Sequence, residues 1–594
     1  MTNTRQEEEA MRNKANTVLS WMTATCLAAQ AGMSVGGAWA GSEIEARQRA
    51  ERPIEWRAPQ QEDKTVAVTL LAINDFHSQI TAGLEVAGRP VGSAPVLAAY
   101  LKAAQARARG QTFILHAGDH VGASQPRSAL LQDEPGIMVF NMLGNQHCRP
   151  GGLYGVECNL IGIPGNHELD EGMGEMLRLI HGGNHRQGPY LQDPYQGAHF
   201  PYICANLVRT ATNKPLFPPS VVRMVDGVPI GFVGALLRHA TTFLPPDSLD
   251  GLQVLDEAEA INAQVAALRA EGVHAVVAVI HQGGYQLPAN GSEHPSTRLA
   301  GDLAAIVGRL DGEVDVVLAG HTHTVHNLLV DNAAGRKTLV TQAWPKGTGY
   351  AEIDLEISRT GREVVALSSR IVTTWADQGP GLRPDVRVAR LADRVDAMGN
   401  AVAAQVIANA AKPITRVSNE AGESALGDLV ADAQRQAMGT DFAFMHPEGI
   451  EADIDPGHIT KGDYYTVQPA NLNLVKLEMT GEQIYALLNQ QWTTASGEGR
   501  FLQVSGLSYV WDAHRPAGRR VVSVMKDGEP LRRGARYTVT VNEYLAAGGG
   551  NFTVLTEAAN PVVGPFIADA LHQYVRTRPQ PINAAIEGRI SRLN

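Results

Sequence analysis

Long apolar runs alternate with helix-length amphipathic patterns between residues 65 and 372. The runs of strand length include TVAVTLLAI, TFILHAG, NLIGIPG, PIGFVGAL, VHAVVAVI and VDVVLAG. Such Val-, Ile- and Leu-rich runs are typical of strands buried on both faces of a sheet that helices cover. Between them, DEAEAINAQVAALRAEG has acids in its first turn and a glycine after its last, which predicts a helix. The pattern therefore predicts an α/β domain.

Breaks in this pattern divide the chain. Residues 41–64 are charged and show no periodicity, so we expect a linker there. The prolines and glycines of DQGPGLRPDVRV end the first domain, and the amphipathic VARLADRVDAMGNAVAAQVI that follows predicts a helix within an interdomain linker, residues 373–409. A second α/β domain is expected over residues 410–594.

The first 40 residues are typical of an export signal. They contain a stretch of small and apolar residues that ends in Ala38-Trp39-Ala40, an A-x-A cleavage site. A membrane anchor is the alternative, but Gln30 and several glycines interrupt the apolar stretch. We therefore expect a periplasmic or secreted protein with no transmembrane segment after signal cleavage.

Composition and charge narrow the classes of function. The 594 residues are too many for one core, which agrees with two domains. A net charge of −11, with no basic block to offset it, argues against nucleic-acid binding.

After signal cleavage, Cys148 and Cys158 could pair in an oxidising compartment, while Cys204 lies in an apolar run and is expected to be a buried thiol.

Polar residues recur directly after the predicted strands of the first domain. In open α/β sheets the site lies at the carboxyl ends of the strands, so these residues should meet in one crevice. Taken singly, each has an ordinary structural explanation, such as a helix cap at Asp119, but five sets in the same position favour a shared site. The five sets are Asn74-Asp75-Phe76-His77, Asp119, Asn166-His167, His281 and His321-Thr322-His323.

This set of side chains is suited to two divalent metal ions. Three carboxylate or amide oxygens and four imidazoles can surround two ions, with one carboxylate shared. Two ions about 3.5–4 Å apart can hold a hydroxide and stabilise an in-line phosphoryl transfer. Asn166 would complete the metal shell and His167 would face the substrate, while Asp170 at the start of a helix can orient the His167 imidazole.

The motifs NDFH, GDHVGAS, GNHELDEG, HQGG and GHTH resemble those of the calcineurin-like metallophosphoesterases. More closely, the chain resembles the secreted 5′-nucleotidase / UDP-sugar hydrolase / 2′,3′-cyclic phosphodiesterase family over both domains. The resemblance implies a four-layer α/β/β/α catalytic domain over residues 65–372. It also implies one metal bound by Asp75, His77, Asp119 and His323, a second bound by Asp119, Asn166, His281 and His321, and a catalytic dyad of His167 and Asp170.

The second domain departs from that family at the positions that hold a nucleotide. Its framework motifs ESALGDLVADA, GHITKGDYY and LEMTGEQIYALL are similar to the family's. Glu451, however, stands where the family has a phosphate-binding arginine, Ala470 replaces an aromatic ring that stacks on the base, and Gly550 replaces an acid that holds the ribose. Exchanging arginine for glutamate reverses the charge that meets the phosphate. The residues left as candidate substrate contacts are Arg416, His446 and Tyr544.

The sequence therefore predicts an exported phosphohydrolase of the 5′-nucleotidase type with altered specificity, acting on a small phosphate ester. Two alternatives remain open: a nucleotidase that holds ordinary nucleotides through other residues, and a slow, metal-containing binding protein. Two divalent ions are expected, and zinc, manganese, cobalt and iron all accept this ligand set.

Overall fold

The computed structural model describes residues 38–58, 64–81, 83–150, 155–240, 244, 246–288, 297–332, 334–468, 472–492 and 500–593. The predicted signal peptide therefore lies outside the described residues except for its last three, and so does Ala470. The described chain forms two compact units that divide between Gly399 and Asn400, inside a helix. That helix, Val386–Ala403, lies where the amphipathic pattern predicts a helix.

Two six-stranded sheets form the centre of the first unit. The strands of this unit are β1 (Ile54–Arg57), β2 (Thr65–Ile73), β3 (Leu84–Val86), β4 (Arg89–Val91), β5 (Gln111–His116), β6 (Leu160–Gly162), β7 (Leu207–Arg209), β8 (Ser220–Val225), β9 (Val228–Leu236), β10 (Leu252–Val254), β11 (Ala275–His281), β12 (Tyr285–Pro288), β13 (Thr297–Ala300), β14 (Val314–Ala319), β15 (His326–Asp331), β16 (Lys337–Gln342), β17 (Gly349–Ser358) and β18 (Val364–Thr373). The order of strands is β1-β18-β17-β2-β5-β6 in the first sheet and β15-β16-β14-β11-β9-β8 in the second.

The predicted strands that precede the candidate metal ligands lie parallel to their neighbours. In the first sheet β2, β5 and β6 are parallel neighbours, and in the second β9, β11, β14 and β16 are. Their carboxyl ends therefore lie at one edge of each sheet. The helices of this unit are Ala38–Ala50, Ala94–Arg107, Pro126–Ala129, Glu134–Asn141, Gly172–His181, Glu257–Ala270, Asp302–Val307 and Val386–Ala403.

The two sheets pack face to face, with helices on their outer faces. Phe113 of the first sheet and Phe232 of the second have ring centroids 5.3 Å apart in the shared apolar core. On the outer face of the second sheet, Ile261 and Val265 of the helix Glu257–Ala270 are buried in a separate cluster. Leu97 is likewise buried on the helix Ala94–Arg107, which packs on β2. The first unit thus has the expected four-layer α/β/β/α architecture.

Residues 41–64, for which the sequence predicts a linker, contain regular structure. The helix Ala38–Ala50 is followed by β1, which pairs antiparallel with β18 at the edge of the first sheet. Arg47 is buried: its guanidinium lies 4.2 Å from the centroid of the Trp344 ring and donates a hydrogen bond to the Thr348 carbonyl at 3.2 Å. The sequence pattern does not predict this packing, because the segment contacts the first unit through an arginine stacked on an indole and not through a row of apolar side chains.

The second unit is also α/β. Its largest sheet has the order β23-β20-β27-β22-β28, and a four-stranded sheet has the order β26-β25-β24-β29. Its strands are β19 (Val406–Ala410), β20 (Phe442–Met445), β21 (Gly457–Thr460), β22 (Asn473–Thr480), β23 (Gln503–Ser505), β24 (Ser508–Asp512), β25 (Val521–Lys526), β26 (Glu529–Pro530), β27 (Arg536–Asn542), β28 (Ala559–Phe566) and β29 (Ile590–Leu593). Its helices are Ala425–Met438, Lys461–Val467, Gly481–Asn489, Glu543–Ala546 and Ile567–Thr577.

Side-chain caps explain where several of the predicted helices begin. The Asp256 carboxylate accepts from the Glu259 amide at 3.0 Å before the helix Glu257–Ala270. The Ser424 hydroxyl accepts from the Gly427 amide at 3.0 Å before the helix Ala425–Met438. Each cap satisfies one of the amides that a helix start leaves without a partner.

The cysteines are arranged as the sequence suggested. Cys148 and Cys158 form a disulfide that closes a short loop. Cys204 is fully buried as a free thiol, and burial raises its pKa to about 11. It is therefore a protonated core residue at neutral pH.

The packing of Arg47 gives a test of the N-terminal helix. We expect Arg47→Ala to lower the free energy of unfolding by about 1–3 kcal/mol, because the stacking on Trp344 and a buried hydrogen bond are lost. The measurement is urea unfolding of the protein that begins at residue 41. Arg49→Ala is the control, since the Arg49 side chain is 64% exposed. Equal stabilities of the two variants would contradict the packing.

Candidate metal centre

The strand ends bring every predicted metal ligand of the first unit together. Asp75 and His77 follow β2, Asp119 follows β5, Asn166 follows β6, and the three remaining histidines stand at the ends of β11 and β14. Left-handed backbone conformations, which are costly for non-glycine residues, recur among them. The residues with φ between 49° and 74° are Asp75, His77, Asp119, His321 and His323.

The donor atoms fall into overlapping clusters. Within each cluster one nitrogen or oxygen per residue lies within 4.8 Å of the others. Asp119 belongs to two of them, as expected of a shared ligand. The clusters are Asp75, His77 and His323; Asp119, His281 and His321; and His77, Asp119 and His167.

The first cluster holds two imidazole nitrogens at hydrogen-bond distance. His77 donates from Nδ1 to the Gly122 carbonyl at 2.8 Å, which leaves Nε2 as an acceptor. That Nε2 lies 2.9 Å from Nε2 of His323, and the Asp75 carboxylate lies 3.8 Å from the same His323 nitrogen. A proton or a cation is needed between these atoms.

The second cluster repeats this arrangement. His281 donates from Nδ1 to the Ala117 carbonyl at 2.7 Å, so in the neutral ring its Nε2 is also an acceptor. This Nε2 lies 3.1 Å from Oδ1 of Asn166 and 3.2 Å from Oδ2 of Asp119, and both of those oxygens are acceptors. Oδ1 of Asn166 also lies 3.0 Å from Nδ1 of His321. Several lone pairs therefore converge on one point.

Burial sets the charge of these groups. It lowers the pKa of His321 and of His323 to about 3, so both imidazoles are neutral and can ligate a metal. Burial alone would raise the pKa of Asp119, but His281 and His167 outweigh it and hold that pKa well below its usual range. Burial opposes protonation of His281, yet the attraction of Asp119 raises its pKa to about 9. The field that draws a proton to this point also attracts a metal cation.

These observations fit a pair of divalent ions. Imidazole nitrogens together with carboxylate and amide oxygens are the ligands of zinc, manganese, cobalt and iron. Hydrogen bonds from the outer ring nitrogens of His77 and His281 to backbone carbonyls fix the tautomers that ligation requires.

His167 and Asp170 form the predicted pair beside the clusters. Nδ1 of His167 lies 2.7 Å from Oδ2 of Asp170, and the His167 side chain is 20% exposed. Burial raises the pKa of Asp170, while His167 opposes that shift. The pair orients the imidazole with Nε2 directed away from Asp170, and one ring nitrogen lies within the cluster of His77 and Asp119.

One residue beside the site has no role in the sequence-based prediction. Glu168 is 4% exposed and accepts backbone hydrogen bonds from the amides of Asp119 at 3.1 Å and His120 at 2.7 Å. It stands in the GNHE motif, and an acid directly after a predicted catalytic histidine is the signal that could have found it. Its contacts connect the loops that follow β5 and β6.

The candidate substrate residues lie in the second unit. Asn542 accepts from the Leu545 amide through Oδ1, which turns its Nδ2 toward Nε2 of His446 at 3.2 Å. His446 must therefore accept at Nε2 and carry its proton on Nδ1, which lies 3.5 Å from a Glu448 oxygen. The Tyr544 ring centroid is 5.0 Å from that of His446.

Arg416 is held by different neighbours. Its guanidinium donates to the Ile450 carbonyl at 3.2 Å, and its amide donates to Asp453 at 2.8 Å. The side chain is 51% exposed. Arg416 thus approaches the backbone just before Glu451, where the resemblance predicts the replacement of an arginine.

Among the described residues no helix is both long enough and apolar enough to cross a membrane.

A four-layer fold with oxygen and nitrogen donors clustered at its strand ends is suited to binding the divalent ions that assist hydrolysis of phosphate esters. The calcineurin-like phosphoesterase family profile matches residues 68–325, and the 5′-nucleotidase C-terminal domain profile matches residues 403–557. Together the two profiles match more than half of the chain, which therefore carries a calcineurin-like phosphoesterase domain followed by a 5′-nucleotidase C-terminal domain.

Individual proteins agree with this assignment. The chain is 32% identical over 542 residues to the endonuclease YhcR of Bacillus subtilis, covering 90% of this chain and 41% of YhcR. It is 30% identical over 537 residues to the cell wall protein Lmo0130 of Listeria monocytogenes, covering 83% of this chain and 65% of that protein. The chain thus spans less than two thirds of either relative. The crystal structure of a 5′-nucleotidase precursor from Thermus thermophilus is similar at a TM-score of 0.51 and 28% identity, with 89% of this chain and 99% of that one covered.

The shared position of Asp119 gives a test of the metal centre. We expect Asp119→Asn to lower the affinity for Mn²⁺ at least tenfold, because both clusters lose a charged ligand. The measurement is calorimetric titration of the metal-free protein with Mn²⁺. Asp315→Asn is the control, because Asp315 is also a buried carboxyl group that accepts a backbone hydrogen bond, from the Val276 amide at 3.1 Å, but it stands at the start of β14, at the opposite end from the candidate ligands. Unchanged Mn²⁺ binding by Asp119→Asn would exclude the shared-ligand role.

Proposed function

We propose that this chain is an exported, two-metal phosphohydrolase of the 5′-nucleotidase type whose specificity differs from that of an ordinary nucleotidase. The observation that carries the proposal is the convergence of buried imidazole, carboxylate and amide groups around Asp119, with their donor atoms at about hydrogen-bond distance from one another. Such a cluster is costly to bury unless it holds cations. Its position at the strand ends of a phosphoesterase fold supports the reaction class.

Each predicted ligand receives a role in this proposal. One ion would be held by Asp75, His77, Asp119 and His323, and the other by Asp119, Asn166, His281 and His321. Bound divalent ions supply Lewis-acid stabilisation of a phosphoryl group and activation of water. The side chains would fix the positions of the ions, and the outer hydrogen bonds of His77 and His281 fix the tautomer and orientation of those imidazoles.

His167 acts on the substrate rather than on the ions in this scheme. Asp170 accepts its Nδ1 proton, which holds the ring in place and stabilises a positive charge on it. When Nε2 is protonated, it donates to a phosphoryl oxygen or to the departing oxygen of the ester. The partial exposure of the ring gives a substrate access to that nitrogen.

The altered specificity rests on the second unit. Nδ1–H of His446 faces Glu448, and Glu448 also lies 3.5 Å from Nε of Arg500. Glu451 adds a carboxylate at the position where the resemblance implies a phosphate-binding arginine. We infer that the favoured substrate carries hydrogen-bond donors at this position in place of a phosphate, and that ordinary nucleoside monophosphates are poorly held.

A two-substrate assay tests the function. The protein that begins at residue 41 is incubated with Mn²⁺ and either AMP or a generic aryl phosphodiester, which needs no nucleotide contacts. We expect turnover of the phosphodiester, weak turnover of AMP, and loss of both in His167→Ala by a factor of at least about 100.

The other outcomes separate the alternatives. Efficient AMP turnover that depends on His167 would show that other residues hold the nucleotide and would overturn the altered specificity. Bound metal without turnover of either ester would favour a binding protein.

A charge reversal tests the substrate domain separately. We expect Glu451→Arg to raise kcat/KM for AMP about tenfold, because it restores a cation that can pair with the phosphate. The phosphodiester should be turned over at an unchanged rate. Glu529→Arg, at an exposed position in the four-stranded sheet, is the control for net charge. No gain with AMP beyond that of the control would refute this account of Glu451.

A further inference from the structure

We propose that Glu168 is a positioning residue that joins the loops after β5 and β6 and thereby sets the geometry of the metal centre. Its two carboxylate oxygens receive hydrogen bonds from both loops. Oε2 accepts from the amides of Asp119 and Gly165, and Oε1 accepts from the amide of His120. This inference rests on the proposed metal-dependent function and adds a residue to which that proposal gives no role.

A second hydrogen bond joins the same two loops in the opposite direction. Glu168 reaches from the second loop to the amide of Asp119, and Asp119 reaches back, because its Oδ1 accepts from the amide of His167 at 3.0 Å. Each loop thus donates an amide to a carboxylate of the other. Oδ2 of Asp119 remains directed at the metal clusters, 3.2 Å from Nε2 of His281.

The two loops approach each other more closely than a side chain would allow. A Cβ atom on Gly165 would lie 2.0 Å from Oδ1 of Asp119 and 2.5 Å from its amide nitrogen. Glycine is therefore required at this crossing, and the Glu168 hydrogen bonds hold the backbone at this distance.

The other end of Glu168 is anchored on a buried aromatic cluster. Nδ1 of His120 lies 3.2 Å from Oε1 of Glu168 and 3.1 Å from the Tyr202 hydroxyl. The His120 ring stacks on His116 with 3.4 Å between centroids and contacts Phe140 at 4.8 Å. Packing of this kind leaves His120 little freedom to follow a displaced loop.

Only an acid satisfies all these donors. A glutamine at position 168 has the same shape, but its amide group would meet backbone N–H groups as a donor on one side. At least one buried amide would then lose its acceptor, and the two loops would separate. Because Asp119 belongs to two donor clusters, its displacement would disturb both proposed metal positions together.

The test compares Glu168→Gln with the wild-type chain in three assays. In the metal-free protein, hydrogen–deuterium exchange should quicken in the segments 117–122 and 163–168 together. In calorimetry, Mn²⁺ affinity should fall at least tenfold, as is usual when a residue that orients metal ligands is removed. In kinetics on the phosphodiester with saturating Mn²⁺, kcat should fall more than tenfold while KM changes less than threefold.

Glu257→Gln is the matched control, since Glu257 is also a buried glutamate that accepts a backbone hydrogen bond, from the Arg238 amide at 2.6 Å. Glu168→Asp keeps both oxygens on a shorter arm and should recover part of the Mn²⁺ affinity.

The outcomes separate this inference from the proposed function. If wild-type protein binds no Mn²⁺ and hydrolyses neither ester, the proposed function fails first. If the wild type binds and turns over, but Glu168→Gln only lowers thermal stability and leaves Mn²⁺ affinity, kcat and exchange of both segments at control values, Glu168 is an ordinary core residue and the inference is wrong.

Discussion

At the strand ends of the first unit, imidazole nitrogens and side-chain oxygens of the kind that bind metals converge in a buried space. His77 and His281 each donate from Nδ1 to a backbone carbonyl, so that in the neutral rings the remaining nitrogens meet other lone pairs at about hydrogen-bond distance. Desolvated acceptors repel one another unless a cation lies among them. The remaining features of this unit, from the order of its strands to the left-handed backbone at five ligand positions, hold this arrangement in place.

The architecture explains how the candidate ligands can be both buried and held in fixed positions. Two sheets packed face to face supply parallel strands whose carboxyl ends are rigid because their other residues lie in the shared core. The ligands sit within a few residues of those ends, and the loops between them are braced by carboxylates such as Glu168 and Asp119. A site built in this way depends on hydrogen bonds to the backbone as much as on the ligands themselves.

The second unit obeys a different constraint. Its fold depends on side-chain caps and on an apolar core between its strands and helices. The amide of Asn542, oriented by its own N-cap bond, fixes the tautomer of His446, and both side chains are buried. In the proposed function this histidine is a candidate substrate contact, so what it offers a ligand depends on a hydrogen bond of the buried framework.

Much of this protein could be predicted from its sequence. Continuous apolar runs predicted the strands, caps and glycines predicted the helices, and polar residues after five strands predicted which side chains meet at the sheet edge, because all of these follow from local pattern and from the rule that parallel strands end together. The packing of Arg47 on Trp344 and the bonds of Glu168 could not be predicted in this way. Both join residues through contacts that leave no periodic signal, as between Arg47 and Trp344 or between Glu168 and Asp119. The sequence by itself determined which chemical groups are present and at which strand ends they stand. Only the tertiary structure decided which of their atoms carry protons and which face one another, because hydrogen-bond partners are assigned by the folded chain.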